Sequence, residues 1–235
     1  MQPSLPDRLP ERPWPQTEVI DVYIESANKR VFACAYDWPG WCRSAKDEAG
    51  ALAALEAYAP RYAPVAGRAH EPFDPRAVAS FKVVERVAGS ANTDFGVPHE
   101  VARRDLTPVT AGQAKRLSAL VGAAWTVLDK VAAGAPRELR KGPRGGGRDR
   151  DKIVEHVLGA DGIYARKLGL RLEVPSVGDA AGIERFRSAV LKLLEKPSDE
   201  QPPVEKGWPV RYAARRIAWH ALDHAWEIED RREPA

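Results

Sequence analysis

From about residue 110 onward, apolar residues recur every three to four positions in four successive stretches. That repeat limits the second half of the chain to packed helices. Leu117, Leu120, Val121, Ala124, Leu128 and Val131 form the first stripe, behind a capping box at Thr110-Ala-Gly-Gln113. Gly134 and Pro136 end it. The second stripe, Ile153, His156, Ala160 and Ile163, lies on a helix over about 151–168 that Gly169 terminates. The third, Ile183, Phe186, Val190 and Leu193, lies on a helix over about 179–194. The fourth begins near Pro209 and carries Ala213, Ile217, His220, His224 and Ile228. Four amphipathic helices in succession predict a four-helix bundle over 106–235.

The first half has the shorter period of strands. Segments 18–26, 30–37 and 80–87 are rich in apolar residues that partly alternate with polar ones. Ser44-Ala-Lys-Asp47 resembles a helix start, the Ala- and Leu-rich stretch 47–58 continues it, and Pro60 stops, kinks or restarts it. The order strand, strand, helix, strand predicts a small α+β domain over 16–105, closed by a turn-rich boundary at 90–105. Residues 1–15 hold five prolines and read as an extended arm. No apolar core follows a basic start, so no secretory signal is expected, and no apolar run reaches the ~20 residues of a membrane span.

The formal net charge is +3, and residues 137–152 alone contribute +4 through seven basic and three acidic side chains. The basic character is thus one local loop without interleaved aromatics, which argues against nucleic acid as a partner. Gly145, Gly146 and Gly147 in that loop are not a phosphate loop, because no strand precedes them and no Gly-Lys-Ser/Thr follows. Cys34 and Cys42, the only cysteines, match no zinc or redox spacing. They read as reduced thiols of a cytoplasmic protein, with Cys34 a small core residue.

Three of the five histidines occupy inward helical positions, whereas His70 and His99 fall in loop-like sequence. His220 and His224 are four apart, on one face of one helix. Three buried imidazoles would each need a polar partner, at roughly 1–3 kcal/mol apiece if left without one. One shared divalent ion on His156, His220 and His224 satisfies all three, and three protein ligands leave a fourth position open, as in catalytic sites. Glu227, three residues past His224 on the same face, is the candidate catalytic group to reach that position; Asp223 reads as a solvated acid. Trp219 and Trp226 flank the pair off its stripe, suited to packing the two halves together.

The segments Lys152-Ile-Val-Glu-His156-Val-Leu-Gly-Ala-Asp-Gly-Ile-Tyr164 and Arg216-Ile-Ala-Trp-His220-Ala-Leu-Asp-His224 resemble the DinB-like superfamily of metal-dependent bundles, over about residues 106–232. One histidine on the second helix and an H-x-x-x-H on the last is that family's triad. More loosely, Val31-Phe-Ala-Cys-Ala-Tyr-Asp-Trp-Pro-Gly40-Trp and the helix after it are similar to HicB-like domains. The DinB-like resemblance implies a divalent metal, with zinc first and nickel, iron or copper also suited to an all-histidine set. It also implies an S-transferase acting with a low-molecular-weight thiol of the mycothiol or bacillithiol class on an electrophile, or a related isomerase or hydrolase. Arg144 and Arg148 would then hold the carboxylate of the thiol cofactor. The alternative is a non-catalytic metal-binding regulatory or interaction protein built on the HicB-like module. A homodimer is compatible with either.

Overall fold

The computed structural model describes residues 18–76, 78–142 and 146–232. The proline-rich arm and Arg144 lie outside them. The fold is mixed α+β: a four-stranded sheet followed by a mostly helical part. The order is β1 (Glu18–Ser26), β2 (Val31–Ala35), β3 (Cys42–Ala45), α1 (Glu48–Ala57), α2 (Ala59–Arg68), β4 (Val78–Ala88) and α3 (Ala91–Asp94). A 3-10 turn at Arg103–Leu106 leads to α4 (Ala111–Ala133), α5 (Arg150–Lys167), α6 (Ala180–Leu194) and α7 (Val210–Arg231).

The sheet order is β3-β2-β1-β4. β1, β2 and β3 pair antiparallel, and β4 returns beside β1 in parallel after the crossover through α1 and α2. β3 is not marked in the sequence, and the helix start expected at Ser44 lies further along. The actual N-cap is Asp47, whose carboxylate accepts from the Gly50 amide at 2.7 Å. β3 is four residues long and mostly half-buried, so no alternation announces it. Pro60 restarts the helix, at the first turn of α2 where its missing N–H costs nothing.

β2 is buried along its whole length because both sheet faces are covered. Val22, Ile24, Val31, Ala33 and Ala35 join the larger core with Trp41, Leu55 and Tyr62. The alternate residues Tyr23, Phe32, Cys34 and Tyr36 meet Trp219 of α7 on the other side. Phe32 and Trp219 pack edge to face at 6.4 Å, and Tyr58 and Trp226 at 5.0 Å, so both tryptophans join the sheet unit to α7. Arg43 adds an ion pair to Asp223 at 2.9 Å, so Asp223 is not merely solvated. One core cluster runs from Ile20 to Ile228 through both halves.

Cys34 and Cys42 are direct cross-strand partners with their sulfurs side by side, so they form one pair placed to oxidise to a disulfide and are not two separate thiols. The register places them opposite each other because the Pro39-Gly40 turn reverses the chain midway between them. Gly40 has φ +92°, and a Cβ there would sit 2.6 Å from Leu222 Cδ1 and 3.0 Å from the Ala218 carbonyl carbon. Gly40→Ala should therefore cost about 1–3 kcal/mol in a urea titration, from the left-handed backbone and the collision with α7 together. An unchanged midpoint would mean that this turn is not pressed against α7.

The C-terminal helices begin and end largely where the sequence places them. Thr110 and Gln113 exchange the two capping-box hydrogen bonds. Asp179 caps α6, and Gly169 leaves α5 with φ +85°. α4 packs on α7 and α6, and α5 packs on α7. Two stripe positions differ: Ile183 of α6 is half-buried and outside the core cluster, and Ile163 is 51% exposed, with Asp161 taking the buried place on α5. Its Oδ2 accepts from the Trp125 indole at 3.0 Å, a polar need of α4 that apolar periodicity cannot report. Burial pushes the Asp161 carboxyl up to about 7. Among the described residues no helix is long and apolar enough to cross a membrane.

Candidate metal centre

His156 projects from α5, and His220 and His224 from successive turns of α7. One ligand atom from each ring lies within 4.8 Å of the other two. The ring centroids are 5.0, 5.0 and 4.7 Å apart. The Nε2 atoms of His156 and His220 are 3.3 Å apart. Two nitrogens bound tetrahedrally to an ion at ~2.1 Å lie about 3.4 Å from each other, so the His156–His220 spacing fits a shared divalent cation, and the wider pairs, within 4.8 Å, would close on binding it. His70 and His99 take no part in the cluster.

The protonation of the rings suits the same role. Burial holds the proton affinity of His220 well below that of an ordinary histidine, and the neighbouring His224 and Arg216 add to the effect. Burial also lowers His156, with His224 and Arg148 contributing. Neutral imidazole is the form that binds a metal. A pH dependence follows for the metal-free protein. With folded pKa values below the unfolded 6.5, the unfolded chain takes up more protons in acid. Stability contributed by the neutral rings is present above pH 6.5 and is lost as pH falls below it. Denaturation midpoints of metal-free protein should drop between about pH 7 and 5, and less so in His220→Gln. A flat profile in the wild type would contradict buried neutral rings.

Glu227, expected as the catalytic group at the open position, instead stands behind His224. Its Oε2 lies 2.7 Å from His224 Nδ1, which leaves Nε2 of that ring for an ion, and its Oε1 accepts from Arg231 at 2.6 Å. Burial would raise the Glu227 carboxyl, but the bonds to His224 and Arg231 outweigh it and hold it below the usual range. A carboxylate on the far nitrogen of a metal-binding histidine fixes its tautomer and orientation. Arg231 in turn donates from Nε to the Arg140 carbonyl at 2.9 Å, and the Arg140 amide donates to the Arg231 carbonyl. The basic loop is thereby pinned to the end of α7 that carries His224 and Glu227.

Arg148 lines a shallow pocket of about 460 Å³ with Gly147, Asp149, Lys152, Glu155 and His156. The pocket opens beside the first histidine of the cluster. On the other side, Tyr164 lies 5.7 Å from the His220 ring, and the Arg216 guanidinium sits over Tyr164. Arg216 and Arg231 join the site without a motif that marks them in the sequence. The signal available was helical spacing: Arg216 is four residues before His220, and Arg231 is four after Glu227. No family model, curated protein or solved structure matches this chain.

Proposed function

We propose that the chain is a metal-dependent enzyme of the DinB-like type, its four long helices forming that family's bundle, acting on a low-molecular-weight thiol and an electrophile. The observation that carries this reading is the convergence of His156, His220 and His224 with no fourth protein ligand in the cluster among the described residues. Structural zinc is closed by four protein ligands, whereas three leave room for a reactant. When bound, a divalent ion supplies Lewis acidity that lowers the pKa of a nearby thiol or water.

The protein's own groups divide the remaining work. The neutral rings of His156 and His220 and the Nε2 of His224 would hold the ion. Glu227 is a positioning residue that fixes the His224 ring, and Arg231 fixes Glu227. Arg148, at the pocket beside His156, offers a cation to a carboxylate on the thiol cofactor. The thiol proton leaves to water, the sulfur lone pair forms the new bond to the electrophilic carbon, and the leaving group departs with its electron pair. The HicB-like sheet unit braces α7 from behind through Trp219 and Trp226.

The test is metal analysis of protein purified without a metal-affinity tag, followed by assays with mycothiol- and bacillithiol-class thiols and alkylating electrophiles. The expected result is close to one metal per chain and thiol consumption that disappears in His156→Ala. A fully metal-loaded protein that consumes no thiol and hydrolyses no ester or amide would replace this reading with that of a non-catalytic metal-binding module.

A further inference from the structure

The only two cysteines of the chain stand opposite each other in the β2–β3 hairpin. The Ala35 amide donates to the Trp41 carbonyl at 3.0 Å, so the neighbouring pair, Cys34 and Cys42, is a non-hydrogen-bonded one. Side chains of an antiparallel ladder come closest at such a pair, and here the two Cα atoms are 4.1 Å apart. Each thiol thus has its one disulfide partner within the chain already beside it.

The turn that the pair encloses, residues 35–41, bears on the helix that carries two of the three histidines. Gly40 lies against Ala218 and Leu222, two residues to either side of His220. Those positions are about 200° around α7 from His220, so the turn presses on the helix behind that ring. Trp219, next to His220, packs in one cluster with both cysteines. The turn is also tied to the crossover helices. The Tyr62 hydroxyl donates to the Pro39 carbonyl at 3.0 Å, and the Trp41 indole donates to the Leu55 carbonyl at 2.9 Å. These bonds hold the hairpin without a sulfur–sulfur link, and a link across so short a loop adds only modest stability. The fold therefore accommodates both oxidation states.

We propose that Cys34 and Cys42 are a reversible dithiol–disulfide pair, and that closing the bond strengthens metal binding by fixing the turn behind His220. The effect on the metal rests on the function proposed above; the pair itself does not. The oxidant is a low-molecular-weight disulfide. One cysteine loses its proton, attacks a sulfur of that disulfide and releases one small thiol. The other cysteine loses its proton, attacks the mixed disulfide and releases the second. The two released thiols carry off the two protons and two electrons. Both cysteines are buried, at 1% and 5% exposure, so exchange waits on local opening of the hairpin.

The experiment equilibrates the full chain in glutathione buffers of graded potential, quenches with acid and alkylates the denatured protein, so that intact mass counts free thiols. The expected result is one transition from two free thiols to none. With the small thiols removed, the oxidised metal-free protein should melt roughly 5–10 °C above the reduced one. Zinc titration should show the oxidised form binding at least about 5-fold tighter. The double variant Cys34→Ala, Cys42→Ala should give the reduced values in every buffer. Two free thiols in the most oxidising buffer, or a bond that survives the most reducing one, would overturn the reversible pair. Equal zinc affinity in the two forms would overturn the coupling and leave the metal reading standing. No zinc uptake in either form would overturn the metal reading and the coupling with it, and the thiol count would still decide the pair. Should the double variant fail to fold, the two forms of the wild type decide.

Discussion

Asp105→Ala should lower the stability of the folded chain by about 3–5 kcal/mol, the range for removing one partner of a buried ion pair. Asp105 and Arg215 are 1% and 9% exposed at their side chains. Asp105 Oδ1 accepts from Arg215 Nε at 2.9 Å, Oδ2 accepts from Nη2, and Oδ2 also accepts from the Ala102 amide at 2.9 Å. Arg215 Nη1 donates to the Tyr23 hydroxyl at 2.5 Å, which ties the pair to the central strand β1. Burial opposes the charge on Arg215, but Asp105 and Tyr23 outweigh it and hold the guanidinium more firmly protonated than usual. Without Asp105 the guanidinium stays in place with its charge uncompensated. Chemical denaturation measures the loss directly. The double variant Asp105→Leu, Arg215→Met should recover most of it, because the cost lies in the orphaned charge and not in the missing bond. A loss under about 1 kcal/mol in the single variant would show that water reaches the pair.

His220→Ala should reduce divalent-metal affinity by more than the ~100-fold typical of losing a residue that only orients a ligand. It should do so while a cooperative thermal transition persists. The reason is that the core does not route through the ion. Leu120, Leu128, Ile153, Val190, Ile217 and Ile228 are buried in a continuous apolar cluster. Ile217→Ala or Ile228→Ala should instead cost about 2–5 kcal/mol, with metal still bound in the folded fraction. Calorimetric metal titration and circular dichroism on the same samples separate the two effects. If His220→Ala lost its cooperative transition while Ile217→Ala kept it, the ion would be part of the fold, as in zinc-dependent small domains.

What the sequence determined by itself was local. The capping box at Thr110 and Gln113, the cap at Asp179 and the stop at Gly169 depend on side chains within a few residues of the backbone they satisfy. The shared face of His220 and His224 likewise follows from helical period alone. The meeting of His156 with that pair could be anticipated because all three sit on inward stripes of neighbouring helices, and the structure brings them together.

What only the tertiary structure decided was long-range. Apolar periodicity reports one buried face per helix, yet α7 is covered on both sides, by α4 and α5 on one and by the sheet on the other. Trp219, Trp226, Arg215 and Arg216 are buried for that reason, and no stripe on α7 announces them. The four-residue strand β3 forms because β2 offers it an unpaired edge, and that pairing sets Cys34 opposite Cys42. The exchange of Ile163 for Asp161 on α5 was settled by an indole N–H on another helix. In each case the deciding partner lies far along the chain, 36 residues away for Trp125 and 110 for Asp105 with Arg215. Hydrogen bonds and charges buried by a distant partner leave no period in the sequence, because the physics that fixes them acts only once the chain has closed on itself.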